Sequence, residues 1–205
     1  MDNLYFFGRF NFPHVGYVYV IRESLQQLHP KNGITIVFSA QTATWDKKAL
    51  PMKLRQEMFT LAIQSLPEEI RSQVHFSSIE EQLQSGGYTI NTLKALVKTN
   101  IETNGIVMGA DAAIGIPDIH AGFIAWKEWR EILKLCTLIV VPRGRYPTAK
   151  EVKRHLPPEL ANAQVLETTP NEKELHSSST AIQQGHDEFL TPAVRAYTQN
   201  HNLIQ

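Results

Sequence analysis

Apolar residues fall along this chain in short continuous runs, separated by stretches with a helical spacing. Six runs read as strands: "NLYFFGRF" (3–10), "GITIVFSA" (33–40), "QVHFSSI" (73–79), "GIVMGA" (105–110), "CTLIVVPR" (136–143) and "AQVLET" (163–168). Nearly continuous apolar runs of this length suit strands buried on both faces. Between them apolar positions return every three or four residues. Val18, Ile21, Leu25 and Leu28 predict one helix. Leu54, Met58, Leu61 and Ser65 predict a second, with Ala62 and Leu66 widening its stripe. Ile90, Leu93, Val97 and Ile101 predict a third, and Trp129, Ile132, Leu133 and Cys136 a fourth. Such alternation predicts an α/β fold, a doubly wound and mostly parallel sheet with helices on both faces.

Other stretches lack this rhythm. "GIPDIHAGFIA" (115–125) is punctuated by Gly, Pro and Asp and reads as a loop. The segment 144–162 holds a short basic helix stopped by Pro157 and Pro158. After about residue 169 come a polar loop, the hydroxyl-rich "SSSTAI" and "LTPAVRAYTQNHNLI". The last piece predicts a terminal helix with Pro192 in its first turn and Val194, Tyr197 and Leu203 on one side. The reading is one domain, 1–205, whose small C-terminal helical part runs from about 170 to 205.

Composition narrows the function. Lys+Arg is 20 and Asp+Glu is 20, so no basic field points to nucleic acid as a partner. Cys136 is the single cysteine, so no intrachain disulfide forms; within "CTLIVV" it reads as an inert core thiol, with a reactive thiol as the alternative. No apolar run reaches the about 20 residues of a membrane span, and "MDNLYFF" lacks the basic and apolar regions of a signal peptide. A cytoplasmic setting without a membrane partner is expected. The eight histidines show no metal spacing such as H-x-x-x-H, and no structural metal is expected.

Ligands of parallel sheets bind at the carboxyl ends of the strands. The first such place is the loop from Gly8 to Gly16, which carries His14 just before a helix start. Helix N-termini attract anions through unpaired N–H groups and a partial positive charge. Gly16 gives an anion access to the backbone, and a histidine there hydrogen-bonds a phosphate. Equally, His14 caps the helix and the glycines serve a tight turn. "HSSSTAIQQG" (176–185) offers hydroxyls that either cap a helix or hold a triphosphate. In "GAD" (109–111) Asp111 takes a ribose hydroxyl or caps the next segment.

Together these pieces resemble one family. "GRFNFPHVGY" resembles the (H/T)-x-G-H loop of nucleotidyltransferases, and "SSSTAIQ" their I-S-S-T-x-I-R motif. "KLRQEMFTLAIQS", "GGYTINTLKAL", "MGAD", "WKEWREILKLCTLIVVPRGRYP" and "LTPAVRAYTQNHNLI" are similar, in order and spacing, to bacterial nicotinate mononucleotide adenylyltransferases. The resemblance covers nearly the whole chain and implies a Rossmann-like nucleotidyltransferase fold. It also implies adenylyl transfer from ATP, with Mg²⁺, to a nicotinate or nicotinamide mononucleotide in NAD biosynthesis.

Position by position, the resemblance puts His14 and the position of Tyr17 at the chemistry. Gly8, Phe10, Gly16, Lys47, Gly109, Asp111, Ser178, Ser179 and Thr180 fall toward ATP, with Lys48 an equal candidate for Lys47. The Phe10 backbone would also border the mononucleotide. Asn11, Thr89, Trp126 and Arg143 fall toward the mononucleotide, Trp126 by stacking on the pyridine; Trp129 reads as packing. The chain departs from the family where it has Tyr17 for the second loop histidine and Gln183 for the closing arginine. Neither is charged near neutral pH. "GIPDIHAGFI" looks like an insertion before the ring-binding tryptophan, with His120 a loop residue or a substitute contact. Readings that stay open are an active enzyme, a catalytically impaired nucleotide-binding homologue with a sensing or partner-binding role, and transfer to another phosphate monoester. A homo-oligomer is also left open.

Overall fold

The computed structural model describes residues 1–40, 49–83, 87–97, 104–116 and 121–204. All six apolar runs form strands: β1 (Asn3–Gly8), β2 (Ile34–Phe38), β3 (Val74–Ser77), β4 (Asn104–Gly109), β5 (Thr137–Val141) and β6 (Gln164–Val165). They make one sheet in the order β3-β2-β1-β4-β5-β6, with every pairing parallel. The order reverses between β1 and β4, so the crevice of a doubly wound sheet lies beyond Gly8 and Gly109.

Period-two alternation divides the strand side chains between two cores. Leu4, Phe6, Ile34, Ile36, Phe38, Val107, Ile139 and Val141 enter one; Tyr5, Val37, Ile106, Met108, Leu138 and Val140 enter the other. The first core is covered by α1 (Val15–Leu28), α2 (Met52–Ile63) and the short α3 (Glu68–Arg71). Against β2 packs α4 (Ile79–Leu83). The second core is covered by α5 (Thr89–Leu96), α6 (Ala110–Ile114), α7 (Trp129–Leu135) and α8 (Ala149–His155). The C-terminal segment returns to the first core as α9 (Glu172–His176), α10 (Ser179–Gln183) and α11 (Pro192–Asn200), burying Ile182, Leu190 and Val194.

The periodic stripes hold with local corrections. On α2 the buried face is Met52, Arg55, Met58, Phe59, Ala62 and Ile63, while Leu54 and Leu61 are half-buried and Ser65 is exposed. The stripe is rotated because an arginine occupies a buried position. Leu203 lies past the end of α11 yet packs on the first core. Ile101 and residues 117–120 lie outside the described residues, and 123–125 form a single 3₁₀ turn within the expected loop. Burial pushes the Cys136 thiol up to about 12, which makes it an inert core group. Among the described residues no helix is long and apolar enough to cross a membrane.

Gly33 opens β2 at φ +71°, and a Cβ there would sit 2.1 Å from the Gln73 carbonyl oxygen. Left-handed backbone strains any side chain, and here main chain from the next strand blocks it as well. Gly33→Ala should therefore remove at least about 2 kcal/mol of stability and lower the melting temperature by about 4–8 °C. A thermal melt followed by circular dichroism reads this directly, and an unchanged midpoint contradicts it.

Candidate active site

The loop after β1 is shaped by Phe10. Its backbone has φ +52°, and its ring turns back into the core at 1% exposure. The rings of Phe6, Tyr17, Phe38 and Phe59 meet it edge-on at 5.0–5.4 Å between centroids. Gly8 makes room for this ring: a Cβ at Gly8 would fall 2.7 Å from two of its atoms. Gly16 is packed in the same way. Its would-be Cβ lies 2.3 Å from Ser177 Oγ, so that hydroxyl occupies the space the sequence offered to an anion.

Two buried side chains fix the loop from below. Arg55, 2% exposed, donates from Nη1 to the Arg9 carbonyl (2.6 Å) and from Nε to the Leu50 carbonyl (2.8 Å). Asn11 accepts from the Leu50 amide at 3.0 Å. Glu80 is buried as well, accepting from the Ala40 amide (3.1 Å) and the Thr92 hydroxyl (2.9 Å), and burial raises its pKa. Sequence reading passed over Arg55 and Glu80. For Arg55 the available signal was a charged residue on the apolar face of α2; Glu80, on α4, had none.

His14 stands at the N-cap of α1 and caps it through its backbone only. The first turn of α1 has no acidic residue, so no carboxylate of its own offsets the positive end of the helix dipole. The imidazole is 1% exposed, and its Nδ1 is buried with no hydrogen-bond partner among the described residues. Burial, and secondarily the charge of Arg143, push its pKa well below the ordinary histidine value. The ring is therefore neutral at pH 7. Tyr17 stacks on it at 3.9 Å and 26°.

The facing wall comes from β4, β5 and α10. Gly109 ends β4 and leaves room for Asp111 and Arg143, whose atoms lie 2.5 and 3.2 Å from its would-be Cβ. Arg143, 5% exposed, donates from Nη2 to the Ser177 carbonyl at 2.7 Å. Its carboxylate neighbour Asp111 is 3.9 Å away. Ser178 caps α10, accepting from the Ala181 amide at 3.0 Å.

Together these elements enclose a cavity of about 200 Å³ lined by Arg9, Phe10, Asn11, His14, Tyr17, Asp111, Arg143, Ser178, Ser179, Thr180 and Gln183. Thr89, the first residue of α5, and Trp126, packed 5.3 Å from Phe123, do not line it. Trp129 also packs on Phe123, at 6.5 Å. Lys47, Lys48 and His120 lie outside the described residues. A second cavity of about 300 Å³ lies at the amino ends of β4 and β5, bordered by Asn104, Cys136 and Glu159. It is the larger, but it gathers no buried charged side chain and sits at the end of the sheet opposite the switch point. The smaller cavity is the candidate site. Among the described residues, no group of three or more His, Cys, Asp or Glu side chains forms a metal site.

Comparison with known proteins agrees with this geometry. A probable nicotinate-nucleotide adenylyltransferase of Hydrogenovibrio crunogenus (strain DSM 25203 / XCL-2) is 26% identical over 211 residues, covering 97% of this chain and 95% of that relative. One of Aquifex aeolicus (strain VF5) is 30% identical over 157 residues, covering 76% and 86%. The fold also matches the Plasmodium falciparum nicotinic acid mononucleotide adenylyltransferase complexed with NaAD, with TM-score 0.74 at 17% identity, over 99% of this chain and 97% of that one. Residues 5–185 match the cytidylyltransferase-like family model, and with its parallel sheet and its cavity at the switch point the chain belongs to that family of nucleotidyltransferases.

Proposed function

We propose that this chain transfers the adenylyl group of MgATP to the phosphate of nicotinate mononucleotide, releasing pyrophosphate, as a step of NAD biosynthesis. The observation that carries the reading is the set of groups at the switch point. One cavity joins an uncompensated helix start at His14, the hydroxyls of Ser178, Ser179 and Thr180, and the Asp111 carboxylate. The names of the relatives support the same acceptor. The reading takes 1–205 as one unit, in a cytoplasmic setting where ATP is at hand.

In this reaction a phosphate oxygen of the mononucleotide attacks the α-phosphorus of ATP. The bond from that phosphorus to the α,β-bridging oxygen breaks, and its electron pair leaves with pyrophosphate. No protein atom enters the bond changes, so catalysis is positioning and stabilisation of charge. Magnesium arrives as part of the MgATP substrate. A buried N–H without an acceptor is harder to tolerate than a bare lone pair, so the proton of neutral His14 belongs on Nε2, which donates to a phosphate oxygen. The α1 N-terminus and the Ser178–Thr180 hydroxyls hold the other ATP oxygens. Asp111 takes a ribose hydroxyl, while Asn11, Thr89 and Trp126 meet the mononucleotide.

A second reading rests on two residues of the same cavity. Tyr17 and Gln183 bring no charge where the family has histidine and arginine, which suits a homologue that binds nucleotides without turning them over. Pyrophosphate release from MgATP, with nicotinate mononucleotide and a panel of other phosphate monoesters, separates the two. The proposal expects turnover that His14→Ala lowers by about 10²–10³-fold. Turnover no higher than that variant's, with ATP still bound, establishes the second reading instead.

A pH effect follows from the same ring. The folded pKa of His14 lies below the unfolded value of about 6.5, so the unfolded chain takes up the proton first. The stability tied to the neutral ring is complete above about pH 6.5 and is lost as pH falls below it. Urea titrations from pH 7.5 to 5.5 should show wild type losing more stability than His14→Ala over the acid half of that range. A pH-independent difference between the two contradicts a buried neutral imidazole.

A further inference from the structure

We infer that Arg143 supplies to the β- and γ-phosphates of ATP the positive charge that neither Tyr17 nor Gln183 carries. The inference rests on ATP being the donor nucleotide. The resemblance placed Arg143 toward the mononucleotide, but its neighbours are those of the ATP side. Its Nη2 donates to the carbonyl of Ser177, the residue just before the Ser178–Thr180 hydroxyls, and the same nitrogen lies 3.9 Å from the Asp111 carboxylate. Gln183 lines the same cavity, so a cation at 143 faces the same space as a cation at 183.

The guanidinium is also unfinished in the way a phosphate completes. Arg143 is 5% exposed and its Nε is buried with no partner among the described residues. At 3.9 Å the Asp111 carboxylate is too far for a hydrogen bond and leaves the positive charge incompletely matched. An unpaired buried donor on a charged group is unfavourable in the empty protein, and an entering polyanion relieves it with charge-assisted hydrogen bonds. Arg9 lines the cavity as well, but as a half-exposed side chain.

Tyr17 fits the same arrangement. The Arg143 guanidinium carbon lies 5.4 Å from the centre of its ring, where an aromatic face attracts a cation. A protonated histidine at that place would repel Arg143. The phenol therefore removes one cation and steadies another, and the neutral His14 beside it adds no competing charge.

Calorimetric titrations with MgATP, AMP and inorganic pyrophosphate test this. Arg143→Gln should bind MgATP and pyrophosphate about 10–100-fold more weakly, the loss of one charge-assisted contact, while AMP stays within about threefold. Adding Gln183→Arg to that variant should recover most of the lost affinity. Arg143→Lys keeps the charge without the planar fork and should fall between, and it replaces the glutamine variant in the series if that one does not fold. Equal weakening of AMP, or no recovery from Gln183→Arg, makes Arg143 a support for the Ser177 turn and overturns the inference. Wild type that binds no MgATP defeats the reading of ATP as donor. Wild type that binds it, with an indifferent Arg143→Gln, defeats this inference alone.

Discussion

The ring of Phe10 needs a place to go, and much of the site follows from where it goes. Burying a phenylalanine is worth about 1.5–3 kcal/mol, and four aromatic neighbours surround this one. Reaching them requires a left-handed backbone at Phe10 and a glycine at position 8. The chain then leaves β1 in a fixed direction, with the Arg9 carbonyl held from below by Arg55. Asn11 and His14 reach the cavity because the residue before them is locked. An aromatic cluster on one face of the sheet thus orients polar groups at its edge.

The electrostatics of the site follow from burial more than from residue count. A histidine beside a helix start suggests a cation; here desolvation and a nearby guanidinium keep it neutral. The formal charge of the described wall then rests on Arg9, Arg143 and Asp111. One carboxylate against two guanidiniums leaves a net attraction for a polyanion, carried by the guanidiniums and not by the loop histidine.

The strand runs were legible because strands buried on both faces must be apolar throughout; five of the six runs contain their strand, and β4 starts one residue before its run, at Asn104. The order and spacing of the motifs carried the family. What sequence did not reveal depends on neighbours distant along the chain. Arg55 and Glu80 are buried because backbone groups at Arg9, Leu50 and Ala40 need partners. Gly8 and Gly16 suggest open space, yet side chains from Phe10 and Ser177 fill it. Of the periodic positions assigned to α2, Met58, Ala62 and Leu66 are buried, but Arg55 takes the place of Leu54 because periodicity treats arginine as a solvent residue.

The close approach of Ser177 to Gly16 has a further meaning for how the protein is made. One wall of the cavity comes from the start of the chain and another from near its end, and Arg22 reaches Glu174 across 152 residues to join them. Contacts of such separation close large loops and form slowly. A nascent chain can therefore complete much of its sheet before the cavity exists. Partly synthesised or C-terminally cleaved forms that lack the Ser178–Thr180 wall therefore lack the cavity, and an intact cavity reports that both ends of the loop have come together.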